Sequence, residues 1–269
     1  MWHREDSRGG QEKGWRRVRK NAAMDSTPPG FRTESAAGRV YSTRRIVRST
    51  DVTPSGRLRL DALARYLQIV AEDDVADSGL ADPVVWLVRR CELRIAMLPA
   101  MGERIALRTF CSGTGPRWAE RTTTMLSLDG QQLARATAVW AAISRADGRP
   151  VPPSAEFAAI YGPSAAGRIA TARLSHPRPN SISDTPSRHW PLRAVDFDTG
   201  GHVNNTVHWQ VVEDELATVG WLPSVAEIEY QRAIMPDCVP RLVTHHDEDR
   251  TVLWLLDGER VLASAMLLK

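Results

Sequence analysis

The chain has 269 residues, 42% of them apolar, enough for one large or two small domains with a real core. Its formal charge of +3 belongs to residues 1–38, where eight bases face five acids; the remainder is neutral, so the pI of about 9.0 describes a tail and not a nucleic-acid-binding body. No apolar run spans a bilayer, no apolar h-region opens the chain, and Cys91, Cys111 and Cys238 have neither disulfide nor metal spacing. A reduced, cytoplasmic protein with no membrane span, no metal and no cofactor is the expectation.

Residues 1–38 lack apolar periodicity and read as a disordered basic tail, within which Met24 offers an alternative start. From Arg39 onward the pattern is regular. Residues 40–47 alternate as a strand and 49–56 read as a loop. Asp61 is placed to cap a helix whose Leu63, Tyr66, Leu67 and Val70 fall at helical spacing. Strand patterns follow at 84–95, 104–110, 120–128 and 132–144, the last two joined by the hairpin signal Asp129-Gly130. Residues 39–150 therefore form one unit.

Residues 151–189, rich in Pro, Ser, Ala and Gly, read as a linker with a short helix at 154–161. Residues 190–269 repeat the first order of elements. A strand at 192–195 leads to a helix with Trp209, Val212 and Leu216 on one face. Strands follow at 225–232, 241–246, 251–256 and 260–268, with Asp257-Gly258 turning the last pair. One long helix against a curved antiparallel sheet, made twice, is an α+β arrangement able to share one cleft as a fused pseudo-dimer.

The stretch that carries chemistry runs Asp196-Phe197-Asp198-Thr199-Gly200-Gly201-His202-Val203-Asn204-Asn205. Two glycines free the backbone, and a helix starting at Asn204 or Asn205 turns bare N–H groups to the same corner. Carboxylate, imidazole, carboxamide and amides are the groups needed to add water to a carbonyl. Each residue alone fits a turn or a cap; it is the concentration of five polar groups that points to catalysis. Asp196, out of phase with Asp198, is given a structural role. Asn204 and Asn205 are open between capping and touching substrate. His208 reads as packed, and Glu213, Asp214 and Glu215 read as a solvated helix end from which one carboxylate is able to bridge the cleft. The His245-His246 pair has no ligand spacing for a metal.

The loop from Asp196 to Asn205 resembles the active-site loop of hotdog-fold thioesterases. Leu133-Ala134-Arg135-Ala136-Thr137-Ala138-Val139-Trp140, the exit Arg149-Pro150-Val151-Pro152-Pro153, and Glu227-Ile228-Glu229-Tyr230-Gln231-Arg232 are similar to segments of the acyl-ACP thioesterase family, which fuses two hotdog units. The resemblance covers residues 40–269. It implies a tandem hotdog and hydrolysis of a fatty acyl thioester on acyl carrier protein, within fatty acid biosynthesis. Acyl-CoA is the alternative carrier, and a homodimer is admitted.

The resemblance places the family's catalytic Asp on Asp198 and its His on His202, with Gly200, Gly201, Asn204 and Asn205 toward the substrate and the N–H groups of residues 200–204 as oxyanion donors. The sequence departs from the family at Gly200, where an Asn is usual, and at Ala233 and Ile234, where a Glu and a Cys are common. Those departures are what a non-catalytic acyl or acyl-carrier binding protein would also show. Cys238 lies out of register for a nucleophile. A hydratase is disfavoured because its loop carries an Asn-Pro element that Thr199-Gly200-Gly201 lacks. An acidic carrier protein calls for a basic face, for which Arg44-Arg45, Arg89-Arg90 and Arg117 are candidates. Acyl chain length is not encoded in any of these patterns.

Overall fold

The computed structural model describes residues 34–81, 83–179 and 186–269; most of the predicted tail, including Met24, lies outside them. Strand β1 (Tyr41–Ile46) leads through a 3-10 turn, Ser49–Asp51, to helix α1 (Leu60–Ser78). Strands β2 (Val84–Ile95), β3 (Arg104–Gly115), β4 (Trp118–Ser127) and β5 (Gln132–Ser144) complete the first half. Helix α2 (Ala155–Ala165) lies between the halves. The second half repeats the order: β6 (Ser187–His189), a 3-10 turn Ala194–Asp196, helix α3 (Asn205–Val219), then β7 (Val225–Tyr230), β8 (Arg241–His246), β9 (Arg250–Asp257) and β10 (Arg260–Leu268).

The described strands form one antiparallel sheet in the order β1-β3-β4-β5-β2-β7-β10-β9-β8-β6. Read from either edge inward, that order is the same. The two halves meet at β2 and β7, where Cys91 pairs with Ile228. The numbering offset that carries Asp51 to Asp196 also carries Leu60, the first residue of α1, to Asn205, the first of α3. The chain is thus a pseudo-two-fold pair of hotdog units.

Both helices pack on the same sheet face and against each other, and one apolar core joins them. Leu63, Tyr66 and Val70 of α1 share it with Trp209, Val212 and Leu216 of α3. Small residues on the inner strands, Ala134, Ala136, Ala226 and Ala265, leave room for the helices to lie close. Each helix ends on a glycine at positive φ, Gly79 at 70° and Gly220 at 71°, where a side chain would be strained.

The segment between the halves lies against the sheet. Ser154 caps α2 by accepting from the Phe157 N–H at 3.0 Å. The Phe157 ring packs against Trp86 on one side and Tyr161 on the other, and the group covers Cys111 and Ala119. Farther on, the backbone N–H of His176 donates to Glu229, its ring meets Glu227 and Ser264, and the Trp254 indole donates to the Pro177 carbonyl at 2.8 Å.

Three local expectations fail. Residues 192–195 are not a strand: the Arg193 guanidinium and its N–H both close on the Asp196 carboxylate, which ties a 3-10 turn and leaves Val195 83% exposed. Asp61 does not cap α1, because the helix already begins at Leu60; its carboxylate pairs with Arg59 at 2.8 Å. Glu213 and Glu215 are not a solvated helix end. Glu215 is buried against Arg188 and His246, and Glu213 pairs with Arg57 of the other half, as the expectation of one bridge across the cleft allowed.

Candidate active site

The bend from Asp198 to His202 is built by backbone bonds. Phe197 and Val203 bridge as an antiparallel pair, the Asp198 N–H donates to the His202 carbonyl at 2.9 Å, and the Gly201 N–H donates to the Asp198 carbonyl at 3.0 Å. Gly201 takes φ +76° with open space where a side chain would stand. Asp196 anchors the bend from below. It is buried, its carboxylate is held by Arg193, and its carbonyl accepts from the Asn204 N–H at 2.8 Å. That is the structural role expected of it.

Asp198 is exposed and His202 half-buried. The Asp198 Oδ1 accepts from the N–H of Gly200 at 2.8 Å and of His202 at 3.3 Å. Both functional side chains crowd Gly200. A Cβ on that residue would meet Asp198 Oδ1 at 3.1 Å and His202 Nδ1 at 3.2 Å. The departure to glycine therefore has a steric reason: it lets carboxylate and imidazole close over the bend.

The expected oxyanion donors do not survive. All five N–H groups from Gly200 to Asn204 are committed: Gly200 and His202 to Asp198 Oδ1, Gly201 to the Asp198 carbonyl, Val203 to the Ile234 carbonyl, and Asn204 to the Asp196 carbonyl. Asn204 is the N-cap of α3; its Oδ1 accepts from the Thr206 N–H at 2.9 Å and hydroxyl at 2.8 Å, so it caps. The Val207 N–H donates to the Asn204 carbonyl. Among the described residues, the backbone donor left open at this helix end is the N–H of Asn205, whose carbonyl accepts from the Tyr230 hydroxyl at 3.2 Å.

His208 lies one turn into α3, buried edge-on against Tyr230 at 5.0 Å, with Nδ1 donating to the Asn204 carbonyl at 3.3 Å. Burial holds its pKa down to about 4, so it is a neutral packing residue as expected. It borders a small apolar cavity with Val211, Val212, Ile228 and Leu253, between α3 and the sheet. Ile234, where the family often carries Cys, is buried and backs the bend, while Ala233 is exposed. Burial drives the Cys91 thiol up to about 12, which leaves it inert.

A cleft of about 880 Å³ opens beside the pseudo-symmetric bend of the first half, lined by residues of both halves. Thr53, Pro54, Arg59, Arg188, Glu213 and Glu215 line it. There the bend repeats bond for bond. The Thr53 N–H donates to the Arg57 carbonyl at 2.8 Å, Gly56 has φ +86°, and the Leu58 N–H donates to the Pro99 carbonyl as Val203 does to Ile234. Thr53 and Arg57 stand where the second bend has Asp198 and His202. The Glu213 carboxylate fills the helix end, accepting from the Leu60 N–H at 2.8 Å and pairing with Arg57. Sequence reading allowed one carboxylate of residues 213–215 to bridge the cleft without saying which one or to what; it is Glu213, at this bend. The signal was the matched pair Arg48-x-x-Asp51 and Arg193-x-x-Asp196, which aligns the halves.

Two fused hotdog units with an acid–imidazole bend at one helix N-terminus define the class of double-hotdog thioester hydrolases. The acyl-ACP thioesterase N-terminal domain matches residues 38–161 and the C-terminal domain matches 180–255. The chain belongs to the acyl-ACP thioesterase family and is a thioester hydrolase of acyl-ACP.

The uncharacterized protein Rv2001 of Mycobacterium tuberculosis is 27% identical over 237 residues, 86% of this chain and 93% of that protein. Two solved structures share the fold. A Lactobacillus plantarum protein assigned as an oleoyl thioesterase has a TM-score of 0.73 at 21% identity, covering 86% of this chain and 96% of that one. The 12:0-ACP thioesterase from Umbellularia californica has a TM-score of 0.71 at 19% identity, covering 85% and 96%.

Proposed function

We propose that Asp198 is the general base and His202 its partner in hydrolysis of the acyl-ACP thioester. The observation that carries the assignment is their convergence over the bare Gly200. Both backbone bonds to Asp198 fall on Oδ1, so Oδ2 is the atom assigned to the water proton. The thioester carbonyl lies at the start of α3 with its oxygen toward the Asn205 N–H. The matching Leu60 N–H of the first half holds a carboxylate oxygen, which supports a helix end able to carry a negative oxygen. Water oxygen bonds to the carbonyl carbon, its proton passes to Asp198, and collapse expels the thiolate, which takes that proton.

No helix among the described residues is long and apolar enough to cross a membrane, in keeping with a cytoplasmic setting for fatty acid biosynthesis. Of the basic pairs considered for carrier docking, Arg45, Arg89 and Arg90 are spent on Asp73, the Gln231 carbonyl, and Glu227 with the Arg173 carbonyl. Exposed Arg44 and Arg117 are the ones left for an acidic carrier. A homodimer of the fused pair is a separate proposal, read by sedimentation.

The test is thiol release from acyl-ACP and acyl-CoA across chain lengths by wild type, Asp198→Ala and His202→Ala. Loss of about 10²–10⁴ in kcat with an intact fold is expected of Asp198→Ala. Normal turnover in that variant contradicts the assignment. Tight binding of acyl-ACP by the wild type without release of thiol would contradict it as well.

A further inference from the structure

We propose that Gln68, carried by the first unit, positions the attacking water in the second unit's site; this rests on the reading of Asp198 as base. The offset that carries Asp51 to Asp196 and Leu60 to Asn205 carries position 68 of α1 to position 213 of α3. Glu213 crosses between the packed helices to the first bend, where it takes the Leu60 N–H and Arg57. The same two-fold relation sets position 68 of α1 opposite the second bend, as it sets position 213 of α3 opposite the first. That relation assigns Gln68 to the end of α3 that begins at Asn205, next to the bend of Asp198 and His202.

Its neighbour fixes which end of the carboxamide turns inward. Gln68 Nε2 donates to the Glu72 carboxylate at 3.0 Å, so Oε1 points the other way. That Oε1 is buried and, among the described residues, has no hydrogen-bond partner. An unpaired buried acceptor is costly and calls for a donor that arrives with the ligand. An attacking water supplies one. Of its two O–H groups, one gives its proton to Asp198 and the other donates to Gln68 Oε1. The second hydrogen stays on the oxygen and becomes the hydroxyl of the fatty acid. The carbon–sulfur pair leaves with the thiolate, which receives the proton held by Asp198.

The neutral side chain matters. A carboxylate at this position would be drawn onto the Asn205 N–H and His202, as Glu213 is onto the Leu60 N–H and Arg57. The second site would then be filled as the first one is.

The experiment compares Gln68→Leu, Gln68→Glu and Asp198→Asn on acyl-ACP, with thermal unfolding of each. Gln68→Leu should lower kcat about 10- to 100-fold at unchanged KM. Hydroxylamine, a stronger nucleophile, should still be acylated by this variant at a rate closer to wild type. Gln68→Glu should lose turnover and raise KM. Wild-type kcat in Gln68→Leu beside an inactive Asp198→Asn overturns the role of Gln68 and leaves the site standing. Equal loss of hydrolysis and hydroxylamine transfer with a lowered Tm reduces Gln68 to packing. Normal turnover in Asp198→Asn overturns the site itself.

Discussion

The two bends are the same backbone with different chemistry. Residues 53–57 and 198–202 share their turn bonds, their positive-φ glycine and their position before a helix. One carries Thr53 and Arg57, and its helix end is occupied by Glu213; the other carries Asp198 and His202. A cleft of about 880 Å³ lies beside the first bend. The assignment of the chemistry to the second bend therefore rests on the residues it carries and not on this cleft.

The largest expected effect comes from making the second bend into the first. Asp198→Thr with His202→Arg should abolish acyl-ACP turnover, by about 10³-fold or more. Because the first bend already folds with those residues, Tm should hold, as differential scanning fluorimetry would show. Gly200→Ala is next. Its Cβ would press on both Asp198 and His202, and kcat should fall about tenfold or more, while Ser55 already occupies the matching place in the first bend.

Gly201→Ala and Gly56→Ala form a matched pair. Each residue sits at positive φ in open space, so each substitution should cost about 1 kcal/mol of stability in chemical denaturation. Activity should drop only in Gly201→Ala.

The smallest effect concerns pH. His208 occupies the place of Leu63 in the first helix, and burial lowers its pKa to about 4. The unfolded chain binds a proton near pH 6.5 that the folded chain refuses until about pH 4. Stability held above pH 6.5 is thus lost progressively as pH falls toward 4, and no further loss from this group follows below that. His208→Leu should flatten the urea midpoint across this window.

Much of this was legible in the chain. Strands β2, β5, β8 and β10 start and stop where the apolar alternation and the Asp-Gly turns put them. The bend at Asp198 was visible because glycines, acid and imidazole are contiguous. Residues 192–195 misled because Ala194 and Val195 look like a strand, while a local ion pair from Arg193 to Asp196 decides the backbone. The commitment of the N–H groups at 200–204 is a property of hydrogen-bond geometry that no residue pattern states. Glu213 and Gln68 were hidden for another reason. Glu213 serves a bend in the opposite half of the chain, and the role proposed for Gln68 comes from superposing the two halves.

The central claim is tested most directly by measuring fatty acid release from acyl-ACP in two equivalent variants, Asp198→Asn and Thr53→Val. Turnover reduced by about 10² or more in the first and unchanged in the second, with both folded, is the predicted result. Equal activity in the two would contradict the assignment of the chemistry to the second bend.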